Sequence, residues 1–213
     1  MIEKKFKIIH VITGLSTGGA EMMLYKLLSV TGRKSFNPIV ISLTDCGPIG
    51  SRIKALGIPV YNVGISKNLL LPIRLCRFIK LVSKLQPNLI QGWMYHANLA
   101  VLLASWFIPR KVPILWNIRH TPYKLKDEKR LTAFLIRLSA ILSSRPAKII
   151  YNSHVSTYRH KLLGFSNKHQ VVIPNGFDCN YFKLSENVRL KLRNSLGLNH
   201  KTFLIGLIAR IIQ

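Results

Sequence analysis

"KIIHVITGLSTGGAEMMLYKLLSV" (7–30) contains the whole argument for the fold in one stretch. Its first seven residues, to Thr13, are a short apolar run rich in β-branched residues, which reads as a buried strand. From Ala20 the pattern changes to a helical period, with Leu24, Leu27 and Leu28 on one face. Between the two lies "GLSTGG" (14–19), where Gly18 and Gly19 allow a tight turn and a close approach of backbone to a neighbour. A strand, a glycine turn and a helix in that order are the opening of a βαβ unit.

The same unit repeats outward from this stretch. Strands are expected at "PIVISL" (38–43), "PVYNV" (59–63), "NLIQG" (88–92), "PILWNI" (113–118), "AKIIYN" (147–152) and within "QVVIPNG" (170–176). Helices are expected at about 48–57, 69–85, 96–107, 128–144, 154–163 and 186–196. Strands alternating with helices of this length imply a doubly wound, Rossmann-like α/β parallel sheet with helices on both faces and right-handed crossovers. The run "FLIGLIA" (203–209) reads as one more strand, coming after that sheet is complete. The expected division is a main domain over 1–185 and, over 186–213, a linker helix with the first strand of a second domain that is missing.

Composition narrows the function classes. The chain has 213 residues, 48% of them hydrophobic, enough for a sizeable core. Lys and Arg total 32 against 7 Asp and Glu, a formal charge of +25. Such a field attracts nucleic acid, anionic membrane or phosphorylated small molecules, and it equally fits a basic surface with no specific partner. Three scattered cysteines with no CxxC argue against a disulfide framework or zinc site and for a reducing, cytoplasmic setting. HExxH, GxSxG and DxD are absent, so no metal is expected, and so few acids make a two-carboxylate hydrolase a poor fit. No RRM, KH or zinc-finger pattern appears, so no specific nucleic-acid partner is expected. The start lacks a signal-peptide cleavage site. "NLAVLLASWFIP" (98–109) falls short of the roughly 18 apolar residues of a membrane span.

Ligands of an open parallel sheet bind beyond the carboxyl ends of the strands. Gly18 and Gly19, ahead of a helix N-terminus, suit a phosphate or sugar hydroxyl, or serve only strand-to-helix packing. In "GWMYHANL" (92–99), His96 can hydrogen-bond a substrate hydroxyl, assist proton transfer, or simply cap its helix. In "NIRHT" (117–121), Arg119 can grip a phosphate bidentately, with His120 beside it, or both belong to an ordinary exposed loop. In "IPNGFDCNYF" (173–182), Pro174, Asn175 and Gly176 imply a sharp turn, with Asp178 capping the turn that follows.

The helix "LLLPIRLCRFIKLVSKL" (69–85) carries Arg74, Arg77, Lys80 and Lys84 at steps that align them in a stripe. A basic amphipathic helix can lie on an anionic membrane, or be an ordinary surface helix with its charged side in water.

Taken in order, "GLSTGGAE", "WMYHANL", "WNIRHT", "VVIPNGFDCNYF" and "IGLIAR" resemble the family 4 glycosyltransferases, retaining enzymes of the two-domain GT-B architecture that use nucleotide-sugars. The resemblance implies the N-terminal, acceptor-binding half of such an enzyme. It implies that Gly18 and Gly19 form the loop near donor phosphates and acceptor. His96 matches the histidine that contacts the transferred sugar, and His120 faces the same cleft. Asn175, Gly176 and Asp178 match the interdomain motif, and Arg210 the arginine that reaches the donor diphosphate. A lysine and an E-x7-E pair follow in the family, and "IIQ" (211–213) does not supply them.

Three readings follow. One is a truncated glycosyltransferase with little activity alone, whose acceptor is a glycan or a lipid-linked sugar at the inner face of a membrane. Another is a split enzyme whose donor domain is a separate chain. The last is a non-catalytic basic module that binds an anionic membrane or a partner chain. No bound cofactor is implied beyond the nucleotide-sugar as substrate.

Overall fold

The computed structural model describes residues 5–32, 34–65, 71–108, 111–199 and 201–207. The chain forms two compact units, Met1–Asn175 and Gly176–Gln213.

The first unit is a seven-stranded, all-parallel sheet in the order β3-β2-β1-β4-β5-β6-β7. The strands are β1 (Phe6–Ile12), β2 (Phe36–Ser42), β3 (Val60–Asn62), β4 (Leu89–Trp93), β5 (Ile114–Ile118), β6 (Lys148–Tyr151) and β7 (Gln170–Val172). Helices α1 (Gly19–Val30), α2 (Gly47–Ala55), α3 (Leu71–Leu85), α4 (Met94–Ser105), α5 (Arg130–Leu142) and α6 (His154–Leu162) connect them, with a 3-10 turn at Leu125–Asp127. The expected Rossmann-like α/β architecture is therefore present.

Alternation along the strands divides the core between the two faces. In β2, Val40 joins Leu24 and Leu28 of α1 and Ile49 and Ile53 of α2 on one face. Its neighbours Ile39 and Ile41 join Phe78 and Val82 of α3, Val101 of α4 and Ile136 of α5 on the other. Side chains that alternate in a strand point to opposite faces, so a sheet buried on both sides needs apolar residues at both sets of positions. Leu27, placed on the apolar face by its spacing, is instead 41% exposed at the rim of α1. Fully burying a side chain such as Leu24 or Ile53 contributes about 1.5–3 kcal/mol.

The second unit contains α7 (Glu186–Ser195), whose N-cap Ser185 accepts a hydrogen bond from the Val188 amide. From its last turn, the Arg193 guanidinium donates to the carbonyls of Asn199 and Thr202. The expected strand at 203–209 is not found: residues 203–207 carry no regular structure, and 208–213 lie outside the described residues. An apolar run becomes a strand only when a ladder partner satisfies its backbone, and no described strand lies beside this one. Phe203, Ile205 and Leu207 remain 85–91% exposed. No helix among the described residues is long and apolar enough to cross a membrane.

Candidate functional site

Strand order reverses between β1 and β4, where Ile12 and Trp93 end their strands in register. The chain leaves β1 for α1 on one face and β4 for α4 on the other. Such a switch point opens a crevice beyond the carboxyl ends of the strands. Gly18 and Gly19 follow the first of these strands and His96 the second, so the topology puts them on its two sides.

On the β1 side, Asp45 anchors the loop, accepting from the Leu15 amide and the Ser16 hydroxyl, each at 3.4 Å. Thr44 donates to the Thr13 carbonyl at 2.7 Å. Gly18 is the N-cap of α1 in an extended conformation that any residue adopts. A Cβ there would first meet the Glu21 carboxylate, the far end of a flexible side chain, and one at Gly19 would meet nothing within 4 Å. Neither glycine is demanded by packing. Glu21 itself lies in the first turn of α1, where a negative charge complements the helix dipole.

On the β4 side the packing is tight. A Cβ at Gly92 would lie 2.8–2.9 Å from the backbone of Asn98, so this glycine lets α4 press onto the strand. Met94, the first residue of α4, has φ +68, a left-handed conformation rare outside glycine. Its sulfur accepts from the Arg119 amide at 3.4 Å. His96 is half-buried two residues on, and its side chain has no hydrogen-bond partner among the described residues. The N-cap of α4 is Trp93, with no side-chain cap, so His96 does not cap its helix. Burial pushes its pKa below the ordinary histidine value, which favours the neutral imidazole.

Arg119 and His120 follow β5 and are fixed by long-range contacts. The Arg119 guanidinium donates from Nε to Asn117 Oδ1 at 2.9 Å, and from one terminal nitrogen to Asn175 Oδ1 and the Ile173 carbonyl. It lies 5.7 Å from the centre of the Trp93 ring. All its partners are neutral, and burial lowers its pKa from its very high ordinary value. Trp93 in turn donates to His10 Nδ1 at 3.4 Å, and burial pushes His10 down to about 4.

His120 Nε2 is 2.7 Å from Glu128 Oε1. Its carbonyl accepts from the Ser156 hydroxyl at 2.8 Å, and its ring stands edge-on to Tyr95. Behind it, the Tyr95 hydroxyl and His160 Nε2 pair at 2.7 Å in the core, and His160 Nδ1 bonds the Ser156 carbonyl. Burial pushes His160 down to about 4 and raises Tyr95.

Asn175 thus meets Arg119 within the first unit, whereas Gly176 and Asp178 belong to the second. Residues 173–178 form no turn; the turn comes at 179–181. Asp178 Oδ1 caps it, accepting from the Asn180 and Tyr181 amides at 3.0 and 3.1 Å. Arg210 lies outside the described residues. Glu21, Asp45, Trp93, Glu128 and His160 escaped the sequence reading. Only Glu21 carried a local signal, an acid in the first turn after the glycine pair. No group of three metal-ligating side chains gathers among the described residues.

The fold matches solved structures at low identity. Anabaena HepE, determined in complex with UDP, superposes with a TM-score of 0.72 at 22% identity, over 90% of this chain and 50% of that one. The lipopolysaccharide outer core galactosyltransferase WaaB gives 0.63 at 14% identity, over 81% and 46%. Sucrose-phosphate synthase from Thermosynechococcus elongatus gives 0.62 at 11% identity, over 89% and 53%. The chain therefore spans about half the length of the structures it resembles, and its fold is that of the N-terminal half of a GT-B glycosyltransferase. No curated protein matches its sequence significantly. The description "Glycosyltransferase Family 4" matches residues 17–181, most of the chain, which accordingly belongs to glycosyltransferase family 4.

Proposed function

We propose that the chain is the acceptor-binding half of a retaining glycosyltransferase that moves sugar from a nucleotide-sugar to a glycan or lipid-linked acceptor. The observation that carries this reading is the crevice at the switch point. On one side, Gly19 leaves its backbone open with no packing need; on the other, a neutral His96 with no hydrogen-bond partner among the described residues stands at the start of α4. A ligand at this place finds bare backbone and a hydrogen-bonding imidazole, the pairing that a sugar hydroxyl uses.

In this reading His96 bonds the transferred sugar, and His120 presents a ring held by Glu128 to the same crevice. Arg119, with only neutral partners, binds an anionic group of the substrate. Asn175, Gly176 and Asp178 carry the chain out of the first unit, and Arg210 reaches the donor diphosphate. Transfer needs the leaving diphosphate neutralised and the two substrates held in contact. One half supplies only part of that, so these 213 residues purified alone transfer little or no sugar.

The test incubates the purified chain with labelled nucleotide-sugars and a lipid-linked glycan extract, alone and mixed with a chain carrying a family 4 donor half. The expected result is acceptor binding without transfer by the chain alone, binding that His96→Ala and Gly19→Leu each weaken at least about tenfold (about 1.4 kcal/mol). Robust transfer by the chain alone, or acceptor binding indifferent to both substitutions, overturns the reading.

A further inference from the structure

The chain passes from β4 into α4 without a spacer: Trp93 ends the strand and Met94 begins the helix. Met94 makes that turn with φ +68 although it carries a side chain. Outside glycine this conformation sets Cβ close to the following carbonyl, and it persists only where surrounding contacts hold it. Among the described residues Gln86 and His169 share it. Both lie just ahead of strands, β4 and β7, at the end of the sheet away from the crevice.

The contacts that hold Met94 run through three elements. Its sulfur accepts from the Arg119 amide, in the loop after β5, at 3.4 Å. Its neighbour Tyr95 is buried, and the hydroxyl pairs with His160 Nε2 of α6 at 2.7 Å. His160 Nδ1 lies 2.7 Å from the Ser156 carbonyl. A carbonyl only accepts, so Nδ1 carries the proton; in the neutral ring Nε2 then accepts, and the Tyr95 hydroxyl donates. Ser156 donates from its hydroxyl to the His120 carbonyl at 2.8 Å. The His120 ring stands edge-on to Tyr95, with centres 6.2 Å apart. The circuit closes: α4, the loop after β5 and α6 are each bonded to the next. His120 lies on the circuit, and His96 follows Tyr95 directly.

A buried polar pair is a demanding choice for this junction. Two apolar side chains would pack here over a range of placements, whereas a fully satisfied hydrogen bond specifies one. The rings of Phe165 and Tyr151 lie on His160 with centres 4.8 and 5.1 Å away and fix its plane. Tyr95 is therefore held from 65 residues away, one position past a backbone turn that does not hold itself.

We propose that Met94, Tyr95 and His160 are positioning residues for the crevice. The left-handed Met94 bends the chain sharply from strand to helix. The Tyr95–His160 pair, tied through Ser156 to the His120 loop, holds that bend and sets His96 and His120 relative to one another. This rests on the reading of the two histidines as substrate contacts.

The experiment assigns the His96 and His120 ring signals of the full 213-residue chain by NMR and follows them against pH. Wild type is compared with Met94→Gly, Tyr95→Phe and Ile53→Ala, the last a cavity on the opposite face of the sheet. Urea curves confirm that each chain is folded where it is read. Met94→Gly and Tyr95→Phe are each expected to shift the ring signals of both histidines. His96 should then titrate closer to the ordinary 6.5, as its ring gains solvent. Ile53→Ala is expected to lower the urea midpoint most and to leave both rings unchanged. Met94→Gly should lower it least, because release of the left-handed turn offsets the lost side chain. Retention of a lipid-linked glycan extract should fall at least about fivefold in the two circuit variants and stay within about twofold in Ile53→Ala. Ring changes that track the loss of stability, greatest in Ile53→Ala, would overturn the proposal. So would His96 signals unmoved in both circuit variants. If Tyr95→Phe fails to fold, Met94→Gly decides alone. If the wild type retains no acceptor, the proposed function fails, while the ring signals still judge the circuit.

Discussion

A Cβ added at Gly19, on the β1 side of the crevice, would touch no atom within 4 Å, while one added at Gly92, on the β4 side, would strike the backbone of Asn98 at 2.8–2.9 Å. The contrast extends along both sides. Past β1 the loop is held by its neighbour Asp45 and leaves the start of α1 open. Past β4 and β5, Met94 is in a left-handed conformation, Arg119 is tied at three points and His120 leans on Glu128. One side is shaped by what it leaves vacant, the other by what it has locked. A site built this way keeps its hydrogen-bonding groups preorganised where geometry matters and leaves the entry side bare.

The sharpest way to break the contrast is acid, which acts on buried histidines beneath both sides, His10 in β1 and His160 behind His120. His10 and His160 ionise near 4 when folded, against an ordinary value of 6.5 that the unfolded chain regains. The unfolded state therefore binds more protons between those values. Stability falls as pH drops from about 6.5 toward 4 and is flat above 6.5. By about pH 5 each histidine costs on the order of 2 kcal/mol. Urea midpoints measured across this range check it, and His160→Gln is expected to remove about half the slope. A flat profile in the wild type would sink the idea that both rings are neutral in the core.

The glycines test the contrast directly. Gly92→Ala forces α4 off β4 and is expected to cost about 1–3 kcal/mol. Gly19→Ala, with open space around it, stays within about 0.5 kcal/mol of wild type in stability. Chemical denaturation of the pair separates them; equal losses would erase the distinction between the two sides.

A small effect is expected at Glu128. Its pair with His120 is partly solvent-exposed, so Glu128→Gln is expected to cost under about 1 kcal/mol of stability. The His120 ring nitrogens, read by nitrogen NMR, should nevertheless change their proton placement, because a carboxylate accepts only and an amide does both. Unchanged ring signals would show that Glu128 does not set the tautomer.

The open side was more legible in the sequence than the locked one. Its glycines, and the strand and helix around them, lie within a single local stretch. Six of the seven strands of the first unit fall within two residues of their expected bounds, and β7 stops four residues short of 176, because β-branched runs and helical periods are local properties. The partners of Arg119 are not local: Asn175 is 56 residues away, and nothing in "NIRHT" names it. Ser156 bonds His120 across 36 residues, and the core pair of Tyr95 with His160 spans 65. "FLIGLIA" misled for the same reason in reverse. Its composition fits a strand, yet a strand is a relation between two segments, and the described part of that run has no second one.

The two edges of the sheet, β3 and β7, are each only three residues long, the shortest strands of the seven. An edge strand displays unpaired amides and carbonyls that can template a stranger's backbone. Here a passing chain would find a ladder too short to hold a register on either flank, although the middle of the sheet runs to seven residues. The domain thus carries its own protection against sheet-to-sheet polymerisation, written into where its strands stop.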